Sequence, residues 1–279
     1  MQANKPLSEL STFGIGGPAK WFAKAETIEE MQALICQKLP FIVIGKGSNV
    51  LFDDRGFNGL VILNKINFFE NPAPGLYHVG GGFSFALLGV RTAQAGFTGL
   101  EFASGIPASV GGAVFMNAGA NGMETQKSLV SVDFVTEEGE LVTLDRKDLH
   151  FDYRTSSFHQ RKGAIVGASF QLTPSLAARQ KQIEIVTSRK NTQPYNDKSA
   201  GCVFRNPEGG IAGRLIEEAG LKGKMCGEAK VSEKHANFIV NTNKARAQDI
   251  LRLLDEVQKA VFEKHGVLLE KEVRIIPYE

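Results

Sequence analysis

FIVIGKGSNV, residues 41–50, decides how the rest of the chain is read. Residues 41–44 are four apolar residues in a row, enough for a short buried strand and too few for a helix. Gly45 follows at once, then Lys46, Gly47, Ser48 and Asn49. A glycine loop therefore leaves the carboxyl end of a strand, which is where α/β sheets collect ligands. Upstream, residues 20–25 read as a strand, and Thr27 opens TIEEMQALICQK. Thr27 and Glu30 fit a capping box, while Ile28, Met31, Leu34 and Ile35 share one helical face. Pro40 stops that helix just before the strand, so the unit is βαβ.

Working outward, GLVIL (59–63) and LYHV (76–79) read as strands, and the second runs into Gly80, Gly81 and Gly82. SFALLGVRTAQA (84–95) is a helix ended by Gly96. GLEFASGIPASVGGAVFMNAGANG (99–122) has no clean period, yet it is apolar, unlike an idle surface loop. LVSVDFVTEEGELVTLD (129–145) alternates and turns at Glu138-Gly139, which makes a hairpin. Residues 163–173 form a strand, and residues 175–191 a helix closed by Pro194. Glycines then thin out. GIAGRLIEEAG (210–220) is helical, KVSEKHANFIVN (230–241) holds short strands, and 244–265 is a long helix. Ile250, Leu254, Val257 and Val261 stripe that helix, and Gly266 caps it. VLLEKEVRII (267–276) closes as a strand. The fold class is α+β, with a glycine-rich part to about residues 174–194 and a smaller α+β part after it.

Composition narrows the function classes. The chain has 279 residues, 43% hydrophobic and 22% charged, with a net charge of +2. No basic stripe suggests nucleic acid. No apolar h-region opens the chain, and no apolar run is long enough for a membrane span, so a cytoplasmic protein is expected. Cys36, Cys202 and Cys226 have no CxxC spacing, and the five histidines form no ligand cluster, so neither disulfide nor metal is expected. Thirty glycines are the excess. GKGSNV lacks the third glycine of a Rossmann fingerprint, and no P-loop is present. Several glycine loops at strand ends instead let backbone N–H groups surround an extended anion, as a flavin dinucleotide requires.

STFGIGGPA (11–19), VIGKGSNVLFDDRGFNGLVI (43–62), residues 99–122, DYRTSSF (152–158), SAGCVFRNP (199–207), HANFIVN (235–241) and LEKEVRII (269–276) stand in one ordered set. Together they resemble the MurB family of UDP-N-acetylenolpyruvoylglucosamine reductases over essentially the whole chain. The resemblance implies a two-subdomain FAD-binding fold of the p-cresol methylhydroxylase/vanillyl-alcohol oxidase type, plus a C-terminal α+β substrate domain. The expected division is 1–66 with the returning strand 267–279, then 67–194, then 195–266. The implied activity is reduction of UDP-N-acetylglucosamine enolpyruvate to UDP-N-acetylmuramate, with FAD as cofactor and NADPH as electron donor, in peptidoglycan precursor synthesis. The short segment between Tyr153 and Arg189 lacks the tyrosine-bearing insertion of longer members. Residues 45–51 contain no histidine, so FAD is expected to be non-covalent. The substrate is the one partner expected, with no nucleic acid, membrane or obligate protein partner.

Reducing a vinyl ether carboxylate requires a hydride at the methylene carbon, stabilisation of charge spreading into the carboxylate, and a proton on the neighbouring carbon. The resemblance assigns these tasks to Arg154, Glu272 and Cys202. By itself Arg154 reads as an ordinary surface arginine, although its guanidinium fork suits a carboxylate. Glu272 alternates with Lys271 and shares a face with Glu270 and Arg274, which alone suggests a solvent-facing row. Cys202 alone reads as a small buried hydrophobe. Many members carry serine there as proton donor. A thiol of pKa about 8.5 is mostly protonated at neutral pH and is a stronger acid than a hydroxyl. For FAD, the first loop offers Gly45, Lys46, Gly47, Ser48 and Asn49. The second offers Ser104, Gly105, Ile106, Gly111, Gly112, Asn117 and Ala118. Tyr153, Lys190, Gln193, Arg205 and Asn206 are the candidate substrate contacts. Two other readings stay open from the residues alone: another flavin oxidase of the same fold, and a non-catalytic FAD or nucleotide-sugar binder.

Overall fold

The computed structural model describes residues 1–278. The chain clusters into two compact units. One holds Met1, Phe22–Lys46 and Leu60–Arg189; the other holds Gln2–Trp21, Gly47–Gly59 and the chain from Lys190 onward. Both helices and strands contribute throughout, so the α+β class is observed.

In the first unit the helix Ile28–Ile35 carries the expected capping box, with the Glu30 N–H donating to Thr27 Oγ1 at 3.2 Å. Met31 and Ile35 are buried. The strand Phe41–Ile44 then pairs in parallel with Leu60–Leu63, so the loop at Gly45 leaves the carboxyl end of a buried pair. A five-stranded antiparallel sheet follows, in the order Leu141–Asp145, Leu129–Thr136, Gly163–Gln171, Leu76–Gly80, Phe69–Ala73. Its central strand is nearly continuous in buried residues. The hairpin turn falls at Gly139, with φ 85°. The period-free stretch 99–122 contains two short helical turns, Glu101–Gly105 and Val110–Phe115. Leu100, Phe102, Ala103, Val110, Ala113 and Val114 are buried in this unit's core, so the stretch is interior rather than an idle loop.

The second unit is built on the helix Ala247–His265, whose Ile250, Leu253, Leu254, Val257 and Val261 are buried. Gly266 ends it in the left-handed conformation, φ 68°. Asp54 takes up its first amides: the Ala247 N–H donates to Oδ1 at 2.8 Å and the Gln248 N–H to Oδ2 at 3.3 Å. A small sheet, Met225–Cys226, Ala229–Val231 and Ile239–Asn241, and the helix Ala212–Glu218 complete it. The last strand is shorter than its alternation predicts: Arg274–Ile276 alone is regular, in parallel with Val50–Phe52. Residues 270–273 instead spend their backbone groups on residues 203–205, as described below, and so form no continuous ladder.

Candidate active site

The first glycine loop begins in the first unit with Gly45. A Cβ there would lie 2.0 Å from Ser109 Oγ, so only glycine fits. Ser109 caps the helix Val110–Phe115, accepting the Gly112 N–H at 3.2 Å. Lys46 Nζ donates to Ser84 Oγ at 2.9 Å. Burial, with Lys65 adding a like charge, lowers the Lys46 ammonium below its usual value. Gly81, just after the strand Leu76–Gly80, packs a missing Cβ against the Ile165 carbonyl, while its own carbonyl accepts the Gly111 N–H at 2.8 Å. On the second loop Ser104 Oγ is buried with no hydrogen-bond partner. Gly105 lies against Arg189, whose Cδ would stand 2.2 Å from a Cβ. Ile106 follows at the end of the Glu101–Gly105 turn, its N–H donating to the Ala103 carbonyl. Tight backbone cradles, an orphaned buried hydroxyl and a lysine ammonium anchored on Ser84 are what an extended, anionic dinucleotide requires, and these residues fit FAD.

Sequence reasoning missed what holds the second loop. Glu101 is 1% exposed. Its carboxylate accepts Thr98 Oγ1–H at 2.5 Å and the Gly99 N–H at 2.7 Å. Burial raises the carboxyl, yet these two donors and the Lys181 ammonium hold it, on balance, below its ordinary value. A charged residue in a glycine-rich apolar run was the available signal.

Arg154 occupies the second turn position of a two-residue hairpin between Phe151–Asp152 and Thr155–Ser156. Its φ of 57° is left-handed, which is uncommon for a long side chain. Tyr153 precedes it, with its N–H on Asp152 Oδ1 at 2.7 Å and its ring 4.7 Å from the guanidinium carbon. Arg154 Nη2 donates to the Gly119 carbonyl at 2.8 Å. Asn117, fully buried, ties this hairpin to the second loop: its Nδ2 donates to the Asp152 carbonyl at 2.9 Å and its Oδ1 accepts the Gln126 N–H at 3.1 Å. Ala118 is held on both sides, by Ala113 and Thr125. Two residues expected at the cofactor thus bond with the Arg154 hairpin and its neighbours.

In the second unit Gly47, φ 64°, lies so close to Leu10 that a Cβ would be 1.9 Å from its carbonyl oxygen. Ser48 and Asn49 form the following turn. Asn49 Nδ2 donates to the Glu272 carbonyl at 3.3 Å, and the Arg274 N–H donates to the Asn49 carbonyl at 3.1 Å. The Cys202 turn joins the same network. The Glu272 N–H donates to the Val203 carbonyl at 2.8 Å, and the Arg205 N–H to the Glu270 carbonyl at 2.8 Å. Cys202 and Glu272, about seventy residues apart in sequence, are therefore on directly bonded segments. Cys202 and Glu272 are both half-buried, whereas Glu270 is exposed. The shared face expected for the two glutamates does not make them equivalent.

The substrate candidates of this unit do not converge on one feature. Arg205 is 3.6 Å from the Glu270 carboxylate. Asn206 Oδ1 accepts the Ala212 N–H at 3.0 Å, fixing the start of the following helix. Lys190 accepts Lys234 Nζ on its carbonyl at 2.7 Å, and the Gln193 carbonyl accepts the Tyr195 N–H.

Comparison with known proteins gives a consistent result. Residues 193–276 match the model of the UDP-N-acetylenolpyruvoylglucosamine reductase C-terminal domain, and residues 19–145 match an FAD binding domain. The chain is similar to UDP-N-acetylenolpyruvoylglucosamine reductase of Protochlamydia amoebophila, 57% identical over all of this chain and 94% of that protein. It is 47% identical to the protein of the same name in Chlamydia muridarum, over all of this chain and 95% of the relative. The crystal structure of the reductase from Thermus caldophilus superposes with a TM-score of 0.87 at 37% identity, covering 98% of both chains.

Proposed function

The chain belongs to the UDP-N-acetylenolpyruvoylglucosamine reductase family, and from that premise we propose how its residues divide the work. It is an FAD-dependent oxidoreductase that reduces UDP-N-acetylglucosamine enolpyruvate with electrons from NADPH, a step in making peptidoglycan precursors. Bound FAD supplies the hydride that reaches the substrate's methylene carbon.

Arg154 binds the substrate carboxylate, and its fixed charge stabilises the negative charge that spreads there. Its bond to the Gly119 carbonyl and its stack on Tyr153 orient the guanidinium in advance. Cys202 delivers the proton to the carbon beside the carboxylate. Glu272 stabilises the developing enol by hydrogen bonding to it. The observation that carries this reading is the direct bonding of the Cys202 and Glu272 segments, through the Glu272 N–H and the Val203 carbonyl.

FAD is held non-covalently by the backbone at Gly45–Asn49 and by Ser104, Gly105, Ile106, Gly111, Gly112, Asn117 and Ala118. Tyr153, Lys190, Gln193, Arg205 and Asn206 contact the nucleotide sugar. We further divide the chain by role into residues 1–66 with 267–279, residues 67–194, and a substrate domain, 195–266, in a cytosolic enzyme of the shorter class. Among the described residues no helix is long and apolar enough to cross a membrane. The test is direct. The purified protein is expected to be yellow, to release all its flavin on acid precipitation, and to oxidise NADPH only when UDP-N-acetylglucosamine enolpyruvate is present. Turnover to oxygen without that substrate would favour an oxidase, and no turnover a binding protein.

A further inference from the structure

We propose that Asn237 is the positioning residue that fixes the Cys202 turn for proton delivery, an inference resting on the reading of Cys202 as proton donor. Asn237 lies in HANFIVN and is 2% exposed. Its side chain closes a two-point clamp on the backbone of one residue: Nδ2 donates to the Phe204 carbonyl at 2.8 Å, and Oδ1 accepts the Phe204 N–H at 3.0 Å. Its own carbonyl accepts the Val203 N–H at 2.9 Å. Three of its bonds thus fall on the two residues directly after Cys202.

The carboxamide here does what a neighbouring strand would do, presenting a donor and an acceptor side by side. On the other edge, residues 203 and 205 are bonded to Glu272 and Glu270. The segment is held from both edges, while Gly201, φ 76°, supplies the bend in front of it. Cys202 stands between that bend and the clamp. Few residues meet the requirement. Aspartate would face the Phe204 carbonyl with a carboxylate, and leucine would leave both buried peptide groups unpaired. An asparagine that merely filled space would need neither bond.

The experiment uses the FAD-bound full chain carrying Cys36→Ser and Cys226→Ser, so that Cys202 is the one thiol. Iodoacetamide alkylation is followed against pH, alongside kcat and KM for UDP-N-acetylglucosamine enolpyruvate. Asn237→Ala is expected to lower kcat about tenfold or more with KM within about threefold, because a misplaced donor fails in the transition state rather than in binding. Its alkylation profile should shift from the parent's, because the thiol's surroundings change. In Asn237→Asp the protonated carboxyl again offers a donor and an acceptor, so its kcat relative to the parent's should rise as pH falls. That variant carries the test if the alanine variant does not fold. Unchanged alkylation profiles, or a ratio flat with pH, would overturn the proposal. Full kcat in Cys202→Ala would instead remove the donor reading, and the alkylation profile would still report whether Asn237 fixes the turn.

Discussion

Arg154 and Cys202 both sit at turns, and the two turns are built in opposite ways. Arg154 itself adopts the left-handed conformation, φ 57°, at a cost of about 1–2 kcal/mol for an L residue. In the other turn Gly201 takes that conformation, φ 76°, and a Cβ there would meet nothing within 4 Å. The bend is assigned to glycine, and the residues directly after Cys202 are held by hydrogen bonds on both edges. In one region the proposed catalytic side chain bears the strain and is fixed through its own guanidinium; in the other the strain is moved one residue away. The first arrangement trades stability for position.

The largest effect should separate those costs. Arg154→Ala is expected to lower kcat about a thousandfold, and Arg154→Lys should not restore it, because a point charge lacks the fork. Arg154→Gly should be equally inactive yet about 1 kcal/mol more stable than the alanine variant, read by thermal denaturation. If alanine and glycine melt alike, the strain is not real.

Next comes the pair on the Cys202 side. Glu272→Gln should cost about a hundredfold in kcat, whereas exposed Glu270→Gln should stay within about threefold. Equal losses would mean that the whole strand matters rather than one carboxyl.

Two glycine substitutions sharpen the contrast between space and strain. Gly45→Ala should shed FAD, measured as bound flavin per chain, because its Cβ collides with Ser109 Oγ. Adding Ser109→Ala should restore binding only in part, because the Cβ of residue 109 would still lie 2.9 Å from the new one. Gly201→Ala should keep its flavin and lose only about 1–2 kcal/mol to its φ.

The smallest effect is electrostatic. The Glu101 carboxyl is held below its ordinary value near 4.5, so its contribution is present above that value and is lost as pH falls through its lower folded value. The melting-temperature gap between the parent and Glu101→Gln should therefore shrink below about pH 4.5. A gap constant with pH would assign Glu101 a role unrelated to its charge.

Much of this was legible in the sequence where local chemistry decides. The Thr27 capping box, the apolar stripe of 247–265 and the strand-end loop at Gly45 are written in adjacent residues. The strand at 267–276 was overread because alternation registers facing, not partner: residues 270–273 bond to a segment nearly seventy residues earlier. Alternation likewise grouped Glu270 with Glu272, which burial separates. Asn237 escaped notice because its role is hydrogen bonding to backbone, and backbone positions leave no trace in residue type; Glu101 left a signal, a charge in an apolar run, but not the identity of its partners Thr98, Gly99 and Lys181. Arg154's left-handed φ was equally hidden, since neither Tyr153 nor Arg154 is a turn former.

The central claim is that a thiol serves as the proton donor. Its most direct test is the rate of substrate reduction by the flavin-reduced enzyme, in rapid mixing from about pH 6 to about pH 10, for the parent and Cys202→Ser. The claim predicts an alkaline fall in the parent, as the thiol loses its proton, that begins lower or drops more steeply than in the serine variant. The same rate and the same alkaline limb in both proteins would contradict it.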